Sequence, residues 1–370
     1  MKNIYRTIIV SLLVIVLLAS HSVKAGNNDR AGQAAAAHLL INPWASTNGW
    51  GTAGISFTKG IEAMYSNVAG LSMVKKTEIA YSNTMYNVGS QTMINGIGIA
   101  QSLGYDGQKG IIGAAVMIMS LGNIPRTTVD NPEGGIGTFP ATVTNIGVSY
   151  ALSFSNEIHS GISFKVINET TSNATATGFA IDAGIQYVSG RNDQFRLGVV
   201  LKNIGLPMRY KGDGLALRSY LNRNSFPSTI LMPSESSEMP ALLGLGISYD
   251  FLFGDKSGNP EKREIEREDA KNRITLAGSY VANAYSKDQF IVGLEYSLLD
   301  FFQVRGGYTI EGFKAETSTT NLSGPSAGAS LLIALNKKVS DNPSRLAIDY
   351  SYRFTKSWNG SHAIGVRIIL

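Results

Sequence analysis

The sequence predicts an all-β protein: a transmembrane antiparallel β-barrel of about fourteen strands. Three observations predict it. The chain opens with an export pattern. It is rich in Gly and Tyr, sparing in charge, and has no Cys. From Thr77 to Leu370, segments of roughly ten residues with alternating polarity recur between turn-like stretches.

The export pattern comes first. Lys2 and Arg6 form a charged start, Ile8 to Ala19 an apolar core, and Val23-Lys24-Ala25 places small residues at the cleavage positions. Residues 1–25 are therefore read as a signal peptide cut after Ala25. The apolar run is short for a spanning helix, and no later apolar run reaches the length of one. Export without cysteine argues against a disulfide-built secreted domain and fits a Gram-negative envelope protein. The 40 Gly among 370 residues exceed the usual share of roughly 7%, and 16 Tyr outnumber 14 Phe. Net charge is +5, with no basic block or aromatic-interleaved Arg/Lys patch, which excludes nucleic acid as a partner.

The strand pattern divides residues 77–370 into fourteen segments. They are TEIAYSNTMY, INGIGIAQSL, GIIGAAVMIM, ATVTNIGVSYALSF, HSGISFKVIN, GFAIDAGIQYV, QFRLGVVLKN, ALLGLGISYDFLF, RITLAGSYVANA, QFIVGLEYSLL, FFQVRGGYTI, AGASLLIALN, RLAIDYSYRF and HAIGVRIIL. Each approaches the nine to eleven residues that a tilted strand needs to cross a bilayer. The period of two is plainest near the C-terminus. Phe302, Val304, Tyr308 and Ile310 share one face, and Gln303, Arg305 and Thr309 the other. In a membrane barrel the apolar face meets lipid and the polar face lines the lumen. Charges on the inner faces then require partners. Lys165 with Asp182, Glu295 with Arg305, and Asp349 with Arg367 fall nearly opposite one another on adjacent strands.

The connections alternate in length. Leu121–Pro140, Asn203–Met239 and Glu311–Pro325 are long and fall on one side; Ser155–Glu157 and Leu299–Asp300 are tight and fall on the other. That is the asymmetry of external loops and periplasmic turns. The charged stretch Gly254 to Asn272 is the exception, a long insertion on the periplasmic side. The Asn203–Met239 loop carries Met208, Arg209, Tyr210, Leu221 and Phe226, the residue types that interfaces favour.

Chemistry finds little support. Gly324 to Gly328 matches G-x-S-x-G, with Ser326 as a formal nucleophile, followed by Asp341 or Asp349 and His362. That mechanism needs a strand-turn-helix elbow, which the surrounding sequence does not offer. The histidines are scattered without metal-ligand spacing. No enzyme, metal or cofactor is expected.

His38 to Ser72, HLLINPWASTNGWGTAGISFTKGIEAMYSNVAGLS, resembles the N-terminal segment of the PorV/PorQ family, outer-membrane barrels of the FadL fold. Leu39-Leu40-Ile41, Ala45, Gly51, Gly54, Ala63, Asn67 and Ala69-Gly70-Leu71 carry the resemblance; Ser46 and Val68 stand where the family has Arg and Pro. The resemblance implies that residues 26–76 form a plug inside a barrel of residues 77–370, with Asn67, Ala69, Gly70 and Leu71 as its motif. It implies an outer membrane of the Bacteroidota, a role in type IX protein secretion, and two partners: a translocon barrel and cargo proteins bearing a C-terminal signal. The alternative that the FadL side of the resemblance implies is a transporter for a hydrophobic ligand; a structural barrel in an envelope complex is the third reading. On each of them the surrounding partner is outer-membrane lipid.

Overall fold

The computed structural model describes residues 30–104, 109–220, 226–255, 270–311, 322–335, 344–356 and 358–370. The signal peptide, Leu221 and most of the charged stretch from Gly254 to Asn272 lie outside them.

Fourteen antiparallel strands close into a barrel. They are β1 (Thr77–Tyr86), β2 (Thr92–Ser102), β3 (Ile111–Pro125), β4 (Thr138–Ser153), β5 (Ile158–Thr171), β6 (Ala174–Ser189) and β7 (Phe195–Gly205), then β8 (Leu242–Asp255), β9 (Ala270–Asn283), β10 (Gln289–Leu298), β11 (Phe302–Glu311), β12 (Gly324–Ala334), β13 (Arg345–Arg353) and β14 (Ser361–Ile369). Each strand pairs with its sequence neighbours, and β14 pairs with β1, so no edge is left. A short hairpin, Ala216–Tyr220 with Pro227–Leu231, stands outside the barrel ladder in the β7–β8 connection.

The alternation read from sequence is the alternation of burial. In β10, Gln289, Ile291, Gly293, Glu295 and Ser297 point inward, and Phe290, Val292, Leu294 and Tyr296 point outward. Most outward positions are apolar, as with Ile97, Val148, Phe164, Leu245, Val292 and Ile364. The strands run from 9 to 16 residues, enough to cross a bilayer. β3 and β4 continue to Pro125 and from Thr138, so the Leu121–Pro140 connection is partly strand. Residue polarity hides this, because beyond the apolar band both faces of a hairpin are wet.

The tight turn between β10 and β11 places Leu299 and Asp300 both at φ 51. Such primed turns match the twist of the flanking strands and favour Asn or Gly. Leu299→Asn is expected to raise stability by roughly 0.5–1 kcal/mol, because left-handed backbone costs a branched L-residue more than Asn. An unfolding midpoint unchanged or lowered would contradict this.

The ladder between β6 and β7 is broken at one point. Ile181 pairs with Ile204 and Ala183 with Leu201, so Lys202 and Asn203 together oppose Asp182. The bulge sets Asn203 at φ 60 and turns both Lys202 and Asn203 inward.

Candidate functional site

The chain before β1 folds as a series of single turns: Ala37–Leu40, Ala45–Asn48, Gly54–Ser56, Ile61–Tyr65 and Val68–Met73. Gly49, Gly51 and Gly60, with Pro43, lie between the turns and interrupt any longer helix. The turns are nearly all buried, and their cover is the inner face of the strands. Ala45–Asn48 meets β12, β13, β14 and β1; Gly54–Ser56 meets β7, β8 and β9; Val68–Met73 meets β3, β4, β5 and β6. Trp44 stacks edge-on to Tyr65 at 6.1 Å and Trp50 tilts against Phe57 at 4.5 Å, giving the segment its own aromatic frame.

The wall admits this segment because its inward positions are bare where the backbone comes closest. A Cβ on Gly198 would overlap the Ile55 carbonyl, and one on Gly307 the Trp50 carbonyl. Gly184 leaves room for the Asn67 side chain and Gly161 for the Val68 carbonyl.

Asn67, Ala69, Gly70 and Leu71 are essentially fully buried. Asn67 Oδ1 accepts from Ala69 N at 3.2 Å, closing the local turn. Its Nδ2 donates to Ile55 O at 2.9 Å and to the wall carbonyls of Ile185 at 3.0 Å and Val199 at 3.3 Å. One side chain thus ties two turns of the segment to β6 and β7. Gly70 lies against the Thr58 carbonyl, and its own carbonyl accepts from Gly60 N at 3.2 Å.

Five of the six inward charges are buried and Arg367 is partly buried, and each lies beside its sequence-assigned partner. Lys165 Nζ is 2.5 Å from Asp182, Arg305 Nε 3.1 Å from Glu295, and Arg367 Nε 2.8 Å from Asp349. The last two pairs join through Ser330, which accepts from Arg305 at 2.7 Å and donates to Asp349. The network also reaches the segment. Arg305 Nη1 donates to Ser46 O at 3.1 Å and to Ser46 Oγ at 2.5 Å, so a wall guanidinium holds the Ala45–Asn48 turn. Glu62, the one charge of GIEAMYSNVAGLS, lies 3.7 Å from Arg367 Nε. A polar cavity of about 210 Å³ beside it is lined by Lys59, Glu62, Arg196, Arg273, Glu295 and Arg305 among others.

Burial holds the Glu62 carboxyl above its ordinary value of 4.5, with Arg367 opposing. The folded chain therefore binds that proton more tightly than the unfolded chain. The resulting stability is complete below pH 4.5 and is lost as pH rises through the folded value. Stability of the wild type is expected to fall more steeply as pH rises above 4.5 than that of Glu62→Gln. Parallel pH curves of the two unfolding midpoints would contradict this.

At the end carrying the long connections, Arg30 lies 3.2 Å from Glu238, with its guanidinium 4.2 Å over the Tyr285 ring. Ala35 N donates to Glu238 O at 2.9 Å. At the opposite end Leu370 N donates to Thr77 O. Residues 30–76 therefore run the length of the barrel. Near the loop end a cavity of about 60 Å³ opens between segment and wall. Its lining is mixed: Leu40, Ile41, Ile55, Val200, Leu242 and Val281 are apolar, and Asn42, Thr52, Ser66, Lys202, Asn283 and Gln289 are polar, with Tyr65 between them in character. Lys202 Nζ donates to Tyr65 O at 2.6 Å, and the Tyr65 hydroxyl has no partner among the described residues.

The expected partner loop is divided. Arg209 is exposed, and Phe226 is 91% exposed. Met208 is buried with Leu39, Ile167, Ala176 and Met239, where thioether and methyl groups fill the space above Gly178. Tyr210 is half-buried, with its hydroxyl on Glu169, which also lies 3.3 Å from His38. Those two residues fasten the loop to the barrel instead of presenting it. Ser326 points inward, donating to Gly49 O at 3.3 Å; His362 points outward, against the Tyr350 hydroxyl. The wall stands between them, so no Ser–His couple forms.

No protein-family model matches the chain, and no curated protein matches it. The PorV/PorQ resemblance therefore has no family match behind it. Solved structures do resemble it. The CymD monoaromatic hydrocarbon channel is 13% identical at a TM-score of 0.53, covering 89% of this chain and 97% of that one. The Pseudomonas putida toluene transporter TodX is 10% identical at 0.51, with the same coverage. A Pseudomonas aeruginosa FadL homologue is 12% identical at 0.46, covering 87% of this chain and 96% of that one. At such identities the first two show the fold alone, a closed fourteen-strand barrel.

Proposed function

We propose that the chain is an outer-membrane channel for hydrophobic small molecules, with residues 26–76 as its plug and the long connections outside the cell. The observation that carries this reading is the cavity between segment and wall at the loop end, where Leu40, Ile41, Ile55, Val200, Leu242 and Val281 place apolar surface beside polar Asn42, Ser66 and Lys202. The outward apolar band supports a bilayer location, and the names of the two barrels above supply the ligand class by analogy. The cavity is well below the several hundred Å³ of an ordinary ligand site, so a ligand enters by displacing residues 38–42. Once inside, its body meets Ile55, Val200 and Val281, and any acceptor it carries meets the Tyr65 hydroxyl.

The test is mass spectrometry of the natively purified protein, with uptake of apolar solutes by a deletion strain. Bound hydrophobic molecules, lost in Val281→Trp, are expected. Absence of any such molecule, with uptake unaltered on deletion, would overturn the reading. The secretion role retains exposed Arg209 and Phe226 as a contact surface. Co-purification of a translocon barrel or signal-bearing cargo would favour it instead.

A further inference from the structure

The outward face of the wall is not uniform. β1 and β2 are 10 and 11 residues long, about what a crossing requires, so their outward side chains lie within the apolar band. There Asn83 and Asn95 face each other across the ladder. Met85 and Met93 lie outward beyond them on the loop side, and Tyr81 and Ile97 on the other. The outward Asn168 and Thr177 of β5 and β6 differ in setting. Those strands are 14 and 16 residues long and carry such residues past the band.

Asn83 Nδ2 donates to Asn95 Oδ1 at 2.8 Å, and Tyr81 Oη donates to the same oxygen at 3.0 Å. Neither the Asn95 amide N–H groups nor the Asn83 carbonyl has a partner among the described residues. The neighbouring strands continue the patch. His362 of β14 lies opposite Met85 and takes the Tyr350 hydroxyl at 2.8 Å. On the far side of the barrel, β8 presents Leu243, Leu245 and Ile247. An amide in hydrocarbon with open donors and acceptors is costly, and the cost is relieved by a polar partner from outside the chain.

We infer that the wall of β13, β14, β1 and β2 is where two copies of this chain meet in the membrane, their Asn83–Asn95 pairs hydrogen-bonding across a twofold axis along the bilayer normal. Such an axis brings each residue against residues at its own depth. An amide is both donor and acceptor, so this pair is complementary to itself. A charged or single-function group would not be. The inference rests on the membrane reading of the barrel.

The chain has no cysteine, so single cysteines report cleanly. Ile97→Cys lies beside the amides and leaves them intact; Leu245→Cys lies on the opposite wall. Both are introduced into the full chain in native membranes and treated with a short bis-maleimide. A crosslinked homodimer is expected at position 97 and not at 245. Adding Asn83→Leu and Asn95→Leu is expected to weaken self-association about tenfold. No dimer at 97, equal crosslinking at both positions, or a crosslink to a different protein overturns the inference. Labelling of Leu245→Cys by a bilayer-soluble but not a water-soluble maleimide separates failure of the dimer from failure of the membrane reading.

Discussion

Asp182→Ala is expected to destabilise the barrel by roughly 3–5 kcal/mol, the cost of leaving a buried charge without its partner. Asp182 does two things. Its carboxylate neutralises Lys165, whose side chain is only 4% exposed. It also accepts from Asn203 N at 2.8 Å, replacing the ladder bond that the β6–β7 bulge removes. Lys165 Nζ in turn donates to Asn203 Oδ1 at 3.0 Å. Removal strands an ammonium and a backbone N–H together. Adding Lys165→Met to Asp182→Ala removes the stranded charge and should recover a substantial part of the loss, leaving about 1–3 kcal/mol for the orphaned N–H. Urea midpoints followed by heat-modifiable gel mobility read both. Additive losses in the double variant would mean that the two groups do not act as a pair.

Gly198→Val should leave the wall folded and dislodge the segment. Valine suits a strand, but its Cβ overlaps the carbonyl of Ile55, a backbone atom that cannot swing aside. The Ile55 turn must lift, taking with it one of the contacts of Asn67. Planar-bilayer conductance, near zero for the wild type under the plug reading, should become measurable, and protease should cut within residues 38–72. Gly278→Val is the control. It points outward, where a Cβ meets only Ile247 at ordinary distance, and should change neither property. An unaltered protease pattern in Gly198→Val would show that the wall, not the segment, yields.

Much of the architecture was readable from residues 77–370, because a strand in a barrel repeats one simple rule. Polarity alternates, its period is two, and the length is set by the bilayer. The three ion pairs followed from that rule, since adjacent inward positions are close whatever else the chain does. What escaped were departures from the period. The bulge at Lys202 and Asn203 adds a residue with no change in polarity, so Asn203 turns inward unannounced. The burial of Met208 depends on Gly178 and on Leu39, far away in sequence. The glycines of the wall did carry a signal. In NGIGI and LLGLG, Gly takes the inward places where an open lumen would take polar residues. Bare inward positions mean that another piece of chain lies against them. Glu62 could be read only as a lone charge, because Arg367 comes to it from more than 300 residues away.

The course of residues 30–76 along the barrel has a consequence for assembly. The segment touches β3 to β6 through one turn, β7 to β9 through another, and β12 to β1 through a third. A finished cylinder would have to admit these bulky turns lengthwise past aromatic and charged side chains. A curling sheet has only to wrap them. The segment is therefore expected to act as the former around which the strands bend, with the join between Glu78–Met85 and His362–Ile369, the pairing most distant in sequence, zipping last. On that order, a chain lacking residues 38–72 closes slowly, if its curvature is set at all.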